Sequence, residues 1–199
     1  MTHLQALRAA FLEMTGIRAD ARWGAKRLAE EVAILEGIQR QRKLKEAEAK
    51  AEQERKQAER DARIAARGSW EQFCDRAFTR ELEGDEDQLA YVCRRAQHDI
   101  ESAEKALAEF AAKLAQDPAY ALSWGTRSFE HAAKLKVAQW LRTGVIEAGA
   151  TLEALRSEAT REAMRGARSP ERSTSPTSNL MSQCMTAAWA EMVERLSGN

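Results

Sequence analysis

The sequence predicts an all-α protein: a long coiled-coil-like helix pair, a multi-helix bundle, and a C-terminal helix after a Ser/Pro linker. Three observations carry that expectation. Apolar residues recur at three- and four-residue spacing along much of the chain, and no stretch sustains the alternation of a half-buried strand. Only three prolines and ten glycines interrupt 199 residues, and the charged fraction of 31 % exceeds the usual quarter or so. Between Leu44 and Ile64 the sole apolar residue is alanine, set among Lys, Arg, Glu, Asp and Gln. A run of that kind, here residues 40–67, forms a helix that cannot build a core by itself, so it serves as a strut or a pairing surface.

The first element, within residues 1–22, is a short amphipathic helix. Thr2 and Gln5 have capping-box spacing, Leu4, Leu7, Phe11 and Met14 share one face, and Gly16 is a natural stop. Residues 23–117 then hold three helices. The first starts near Trp23 and Gly24, and Leu28, Val32, Leu35 and Ile38 give it an apolar face that thins into alanine. From 25 to 67 it spans roughly 65 Å at 1.5 Å per residue. Gly68 ends it, and Ser69 with Gln72 caps a second helix whose one side carries Trp70, Phe73, Cys74, Ala77, Phe78 and Leu82. Gly84 breaks that helix, and Asp85 with Gln88 opens the third.

This third helix carries the cleanest pattern. Leu89, Ala96, Ala103 and Phe110 repeat every seven residues, as do Cys93, Ile100, Leu107 and Leu114, offset by four. That is an a/d seam over four heptads. Ala90, Val92, Ala106 and Ala111 stand where a two-stranded coil places Glu or Lys, so the apolar face is wide enough for several partners, as in a bundle. Ala47, Ala51 and Ala58 facing Ala96 and Ala103 would permit close approach of the long helix, within a chain or between subunits.

Asp117 and Pro118 close the seam helix. Residues 118–167 form a helical subdomain: a turn over 123–126, a helix with Phe129, Ala133, Val137, Trp140 and Leu141, a break framed by Gly144 and Gly149, and a helix over about 151–165. Residues 168–179, within the Ser-, Thr- and Pro-rich stretch 166–179, are a linker. Residues 180–199 form a helix with Met181, Met185, Ala188, Met192 and Leu196 on one stripe and Trp189 beside it.

Formal net charge is zero, but residues 22–68 hold 13 basic and 9 acidic residues (net +4) and residues 69–119 hold 6 basic and 12 acidic (net −6). The two segments are expected to attract one another, either within a chain or between chains. Cys74, Cys93 and Cys184 are odd in number and widely spaced, which fits reduced thiols in a cytoplasmic setting. The N-terminus lacks the basic and apolar regions of a signal peptide, and no apolar stretch approaches the roughly 20 residues that cross a bilayer. No membrane partner is expected.

The residues that carry chemistry are sparse. His3, His98 and His131 have no metal-ligand spacing. Cys93, His98 and Glu101 lie near one another in sequence, yet five residues separate Cys93 from His98 and place them on different faces. The acidic cluster around Gly84 lacks the ligand order of a calcium loop. Phosphate-loop, dinucleotide and hydrolase-elbow patterns do not occur. No catalytic, metal or cofactor-binding residue is assigned, and a non-enzymatic protein is expected. Trp124, Phe129 and Trp140 at helical spacing read as core rather than as a pocket lining.

Two sets of residues remain as candidate partner contacts: Arg40, Arg42, Lys43 and Lys45 on the long helix, and Met181, Met185, Trp189 and Met192 near the C-terminus. The Glu-first pairs Glu36–Arg40, Glu46–Lys50, Glu52–Lys56 and Glu59–Arg63 account for most charges as helix support, at about 0.2–0.5 kcal/mol each. The expected function is therefore that of a structural, assembly or adaptor protein acting through protein contacts, with homo-oligomerisation as the leading partner mode. A nucleic-acid-binding regulator with a basic helix face and coiled-coil dimerisation ranks second, because interleaved acids dilute attraction to a polyanion. The abundance of Ala and Arg fits a GC-rich bacterial, plasmid or phage genome, where a virion component would suit such a chain.

Overall fold

The computed structural model describes residues 2–78, 84–168 and 176–198. Among them are seven α-helices and a 3₁₀ turn, with no strand. The helices are α1 (His3–Thr15), α2 (Ala25–Arg67), α3 (Trp70–Asp75), α4 (Asp85–Gln116), α5 (Tyr120–Ile146), α6 (Leu152–Arg168) and α7 (Pro176–Leu196). The chain is all-α, as its periodicity predicts. It forms two compact units, Met1–Ala58 and Glu59–Asn199, whose boundary falls within α2.

In the Met1–Ala58 unit, α1 starts with the expected capping box. Gln5 N–H donates to Thr2 Oγ1 at 3.4 Å, and Thr2 N–H donates to Gln5 Oε1 at 2.8 Å. Phe11 meets Trp23 edge-on at 5.5 Å, and the Arg27 guanidinium lies 4.6 Å from the Trp23 ring centre. Leu28 and Val32 are buried, while Leu4, Leu7, Phe11 and Met14 are half-buried. Beyond residue 38 the apolar face runs out: of residues 39–58 all but the half-buried Glu52 are exposed. The helix is supported there by Glu36–Arg40 (4.0 Å) and Glu52–Lys56 (3.2 Å), as the spacing predicts. Lys50, expected to pair with Glu46, pairs instead with Glu54 at 3.9 Å.

The Glu59–Asn199 unit is a bundle in which α4 packs on α5, α5 on α7, and α7 on α6, with α3 seated on α4. Its core takes Trp70, Phe73 and Cys74 from α3, Leu89, Val92, Cys93, Ala96 and Ile100 from α4, and Val137, Leu141 and Val145 from α5. Leu152, Leu155 and Ala159 of α6 and Ala188, Met192 and Leu196 of α7 complete it. Each large aliphatic side chain so buried contributes about 1.5–3 kcal/mol. Gly166 seats α6 against Thr186 of α7, where a methyl group would collide.

Three expected boundaries shift. The turn expected over 123–126 is helical, because α5 runs unbroken from Tyr120 to Ile146. A mid-helix Gly125 costs about 1 kcal/mol. Against that, the Trp124 ring stacks on Tyr120 at 5.9 Å, and Ser128 Oγ donates to the Gly125 carbonyl at 2.7 Å. The aromatic helix gives way after Asp75 to a 3₁₀ turn over Arg76–Phe78; its expected continuation to Leu82 lies outside the described residues. The linker narrows too: residues 166–168 extend α6 and residues 176–179 begin α7, where Pro176 occupies a first-turn position that needs no N–H. Residues 169–175 lie outside the described residues.

Arginines tie the loose helix ends of this unit together. Arg60 Nη2 donates to Glu147 O at 3.2 Å, Arg63 Nε to Gly149 O at 3.0 Å, and Arg67 Nη1 to Val145 O at 2.9 Å. All three acceptors lie at or just past the C-terminal end of α5, where carbonyls lack helical partners and carry partial negative charge. At the end of α7 the Leu196 carbonyl accepts from Arg156 Nε (3.0 Å), Arg156 Nη2 (2.6 Å) and Gln88 Nε2 (3.0 Å).

Candidate functional site

On the seam of α4, Leu89, Cys93, Ala96, Ile100 and Ala103 are buried, whereas Leu107, Phe110 and Leu114 are half-buried. The bundle itself, chiefly α5, covers this face. The alanine strip of α2 does not: Ala47, Ala51 and Ala58 are exposed.

Exposed aliphatic residues gather in the Met1–Ala58 unit. Leu12, Ile17, Ile34, Ile38 and Leu44 are 41 %, 67 %, 59 %, 45 % and 63 % exposed. At 100° per residue, Ile34, Ile38 and Leu44 share a sector of about 120° on α2, and Leu44, Ala47, Ala51 and Ala58 share one of about 60°. Arg40, Arg42, Lys43 and Lys45 are exposed, with Arg40 held by Glu36. At the same 100° per residue Lys45 falls between Ile34 and Ile38, Arg40 within the alanine sector and Lys43 on the face opposite the isoleucines, so the four are spread around the helix.

The C-terminal candidates have a different environment. Met192 is buried, and Met181, Met185 and Trp189 are half-buried. Met185 and Trp189 pack against the core cluster, and Trp189 meets Trp140 edge-on at 4.8 Å. Trp140 Nε1 in turn donates to Glu158 Oε1 at 3.3 Å. Met192 and its neighbours therefore hold α7 to the bundle. Beside them, between α5 and α7, lies a groove of about 430 Å³ lined by Thr126, Glu130, Lys134, Leu180, Cys184 and Glu191, among others.

One edge of that groove is a charge cluster. Glu191 is bonded to Lys134 at 3.2 Å and to Arg195, and Arg195 reaches across to Asp99 of α4. Partial burial acts to raise the Glu191 pKa, but Arg195 and Lys134 outweigh it and hold the carboxyl below its ordinary value. Arg195 is likewise stabilised as a cation: burial opposes its charge, and Asp99 and Glu191 restore it.

The thiols are not poised for reaction. Burial pushes Cys74 up to about 12 and Cys93 well above its ordinary value, the usual result of removing a thiolate from water. Cys184, at the groove, is raised by burial and by Glu130. Cys93 is buried while His98 and Glu101 are exposed, so these three do not converge. Among the described residues no group of three or more His, Cys, Asp or Glu is placed to hold a metal ion.

The arginine row Arg60, Arg63 and Arg67 has no counterpart in the sequence expectations, which paired Arg63 with Glu59. Its three-then-four spacing, leading into Gly68, is the one signal that marks a single helix face. Set beside this geometry, comparisons with protein-family models, with curated proteins and with solved structures gave no match to the chain.

Proposed function

We propose that this chain is a non-enzymatic assembly or adaptor protein, and that its first contact is with a second copy of itself through α2. One observation supports this reading above others: among the described residues, five exposed large hydrophobic side chains lie on the Met1–Ala58 unit, against Tyr91 and Met164 on the larger one. Apolar surface left in water on a helix favours association with another helix. Leu44, Ala47, Ala51 and Ala58 provide the small, regularly spaced face that close coiled-coil packing requires. Glu and Lys/Arg interleaved along the same helix supply the flanking charges that fix register. A virion or mobile-element component is the setting that composition suggests for such a scaffold.

Multi-angle light scattering across a concentration series tests the proposal. The expected result is a species larger than 22.3 kDa that grows with concentration. The double substitution Leu44→Glu/Ala51→Glu should return it to a monomer with unchanged helical content, since both side chains are exposed in the single chain. A wild-type protein that stays monomeric at every concentration would overturn self-association.

A further inference from the structure

Between α1 and the segment that follows it lies a cavity of about 320 Å³ lined by Arg8, Ala9, Leu12, Arg18, Ala19 and Ala21. Two arginines thus line one small cavity whose other lining residues are alanine and leucine. Arg8 is anchored, its Nη2 donating to the Ala21 carbonyl at 3.0 Å, but its Nε is buried and meets no acceptor. A buried donor without a partner is uncommon in a folded chain. Asp20, close in sequence to Arg18, is engaged elsewhere: its Oδ1 accepts the Arg22 backbone N–H at 2.9 Å.

We infer that this cavity is a binding site for a small organic oxyanion, a phosphate or carboxylate carrying a compact apolar group. The guanidinium fork matches either oxyanion and holds it by charge-assisted hydrogen bonds. The alanine and leucine walls select for the apolar substituent, whose burial adds to the affinity. The site belongs to the Met1–Ala58 unit alone and is independent of the self-association proposed above.

Calorimetric titration of the full chain with inorganic phosphate, phenyl phosphate and benzoate tests this, alongside ¹⁵N spectra of the arginine Nε–H groups. Phenyl phosphate or benzoate should bind more tightly than inorganic phosphate and shift the Arg8 Nε–H signal. Arg18→Ala should weaken binding on the order of tenfold, the worth of one charge-assisted hydrogen bond. Arg18 is exposed, so this variant keeps its fold, whereas Arg8→Lys removes the fork while retaining the charge and should weaken binding as well. No heat and no shift with any of the three anions would sink the inference. Equal binding by the wild type and Arg18→Ala would sink it too.

Discussion

Arg67 and Glu86 form a two-point ion pair, with Nε to Oε2 at 3.1 Å and Nη2 to Oε1 at 2.6 Å, while the same guanidinium also donates to the Val145 carbonyl. Arg67 is the one charged side chain among the buried described residues, at 1 % exposure. Its charge stands 5.4 Å from the Phe73 ring centre, so one side chain joins α2, α3, α4 and α5. Arg67→Ala leaves Glu86 and the Val145 carbonyl without this donor. Because Glu86 is itself partly exposed, the expected loss is about 2–4 kcal/mol, read as a lower urea midpoint at constant slope. Arg67→Lys should recover little, because an ammonium cannot reproduce the planar fork.

Gly149 and Gly16 provide a matched pair for separating strain from collision. Both have positive φ, 56° and 71°. A Cβ on Gly149 would stand 2.9 Å from Ile64 Cγ1 and 3.0 Å from the Arg60 carbonyl oxygen, whereas one on Gly16 meets nothing within 4 Å. Gly16→Ala should therefore cost only the left-handed strain, about 1–2 kcal/mol. Gly149→Ala should cost about 1–3 kcal/mol more, the usual penalty of overpacking. Equal losses in thermal melts would mean that α2 yields freely at Arg60 and Ile64.

Met192 distinguishes a core role from a recognition role. Met192→Ala should destabilise the fold by about 2–5 kcal/mol as a cavity opens in the bundle. Met181→Ala, at a half-buried position on the same helix, should cost much less. A Met192→Ala protein with wild-type stability would contradict its place in the core.

Thiol labelling should divide the three cysteines. Cys184 is partly exposed, and Cys74 and Cys93 are buried. Mass spectrometry after brief treatment with a thiol reagent at mildly alkaline pH is expected to find Cys184 modified first. Cys74 and Cys93 should react only when denaturant opens the bundle. Rapid native modification of Cys93 would show that α3 and α4 separate readily.

Acid should loosen α7. The folded-state pKa of Glu191 lies below its ordinary value of 4.5, so its ion pairs stabilise the fold fully above that value. The contribution declines as pH falls past 4.5 and is lost as pH passes below the depressed folded pKa. The stability difference between wild type and Glu191→Gln should accordingly be largest near neutrality and shrink in acid. A difference independent of pH would exclude charge as its origin.

Much of this architecture is legible in the residues. Periodicity locates α4 and the buried Leu89, Cys93, Ala96, Ile100 and Ala103, since a helix face follows from spacing alone. Thr2/Gln5 and Ser69/Gln72 mark true starts because capping is a local interaction. What covers a face is not local: the wide face of α4 meets α5, and spacing within α4 cannot say which helix that will be. Gly125 illustrates the opposite error, a local breaker overridden by the helix around it. Arg63 and Arg67 were hidden most completely. In a charged run, an arginine looks the same whether it serves a glutamate one turn away or a carbonyl far along the chain. The cavity at Arg8 and Arg18 likewise depends on how the chain turns after α1, which no spacing rule specifies.

The arginine row has a kinetic consequence. Starting a helix in water is costly, whereas extending one adds a hydrogen bond for each residue fixed. Once the Glu59–Asn199 unit has formed, Arg60, Arg63 and Arg67 hold the last turns of α2 in helical register. Those turns act as a seed from which residues 39–58 need only propagate. Amide exchange should then be slowest near Arg67 and quicken toward residue 39, a gradient set by distance from the seed.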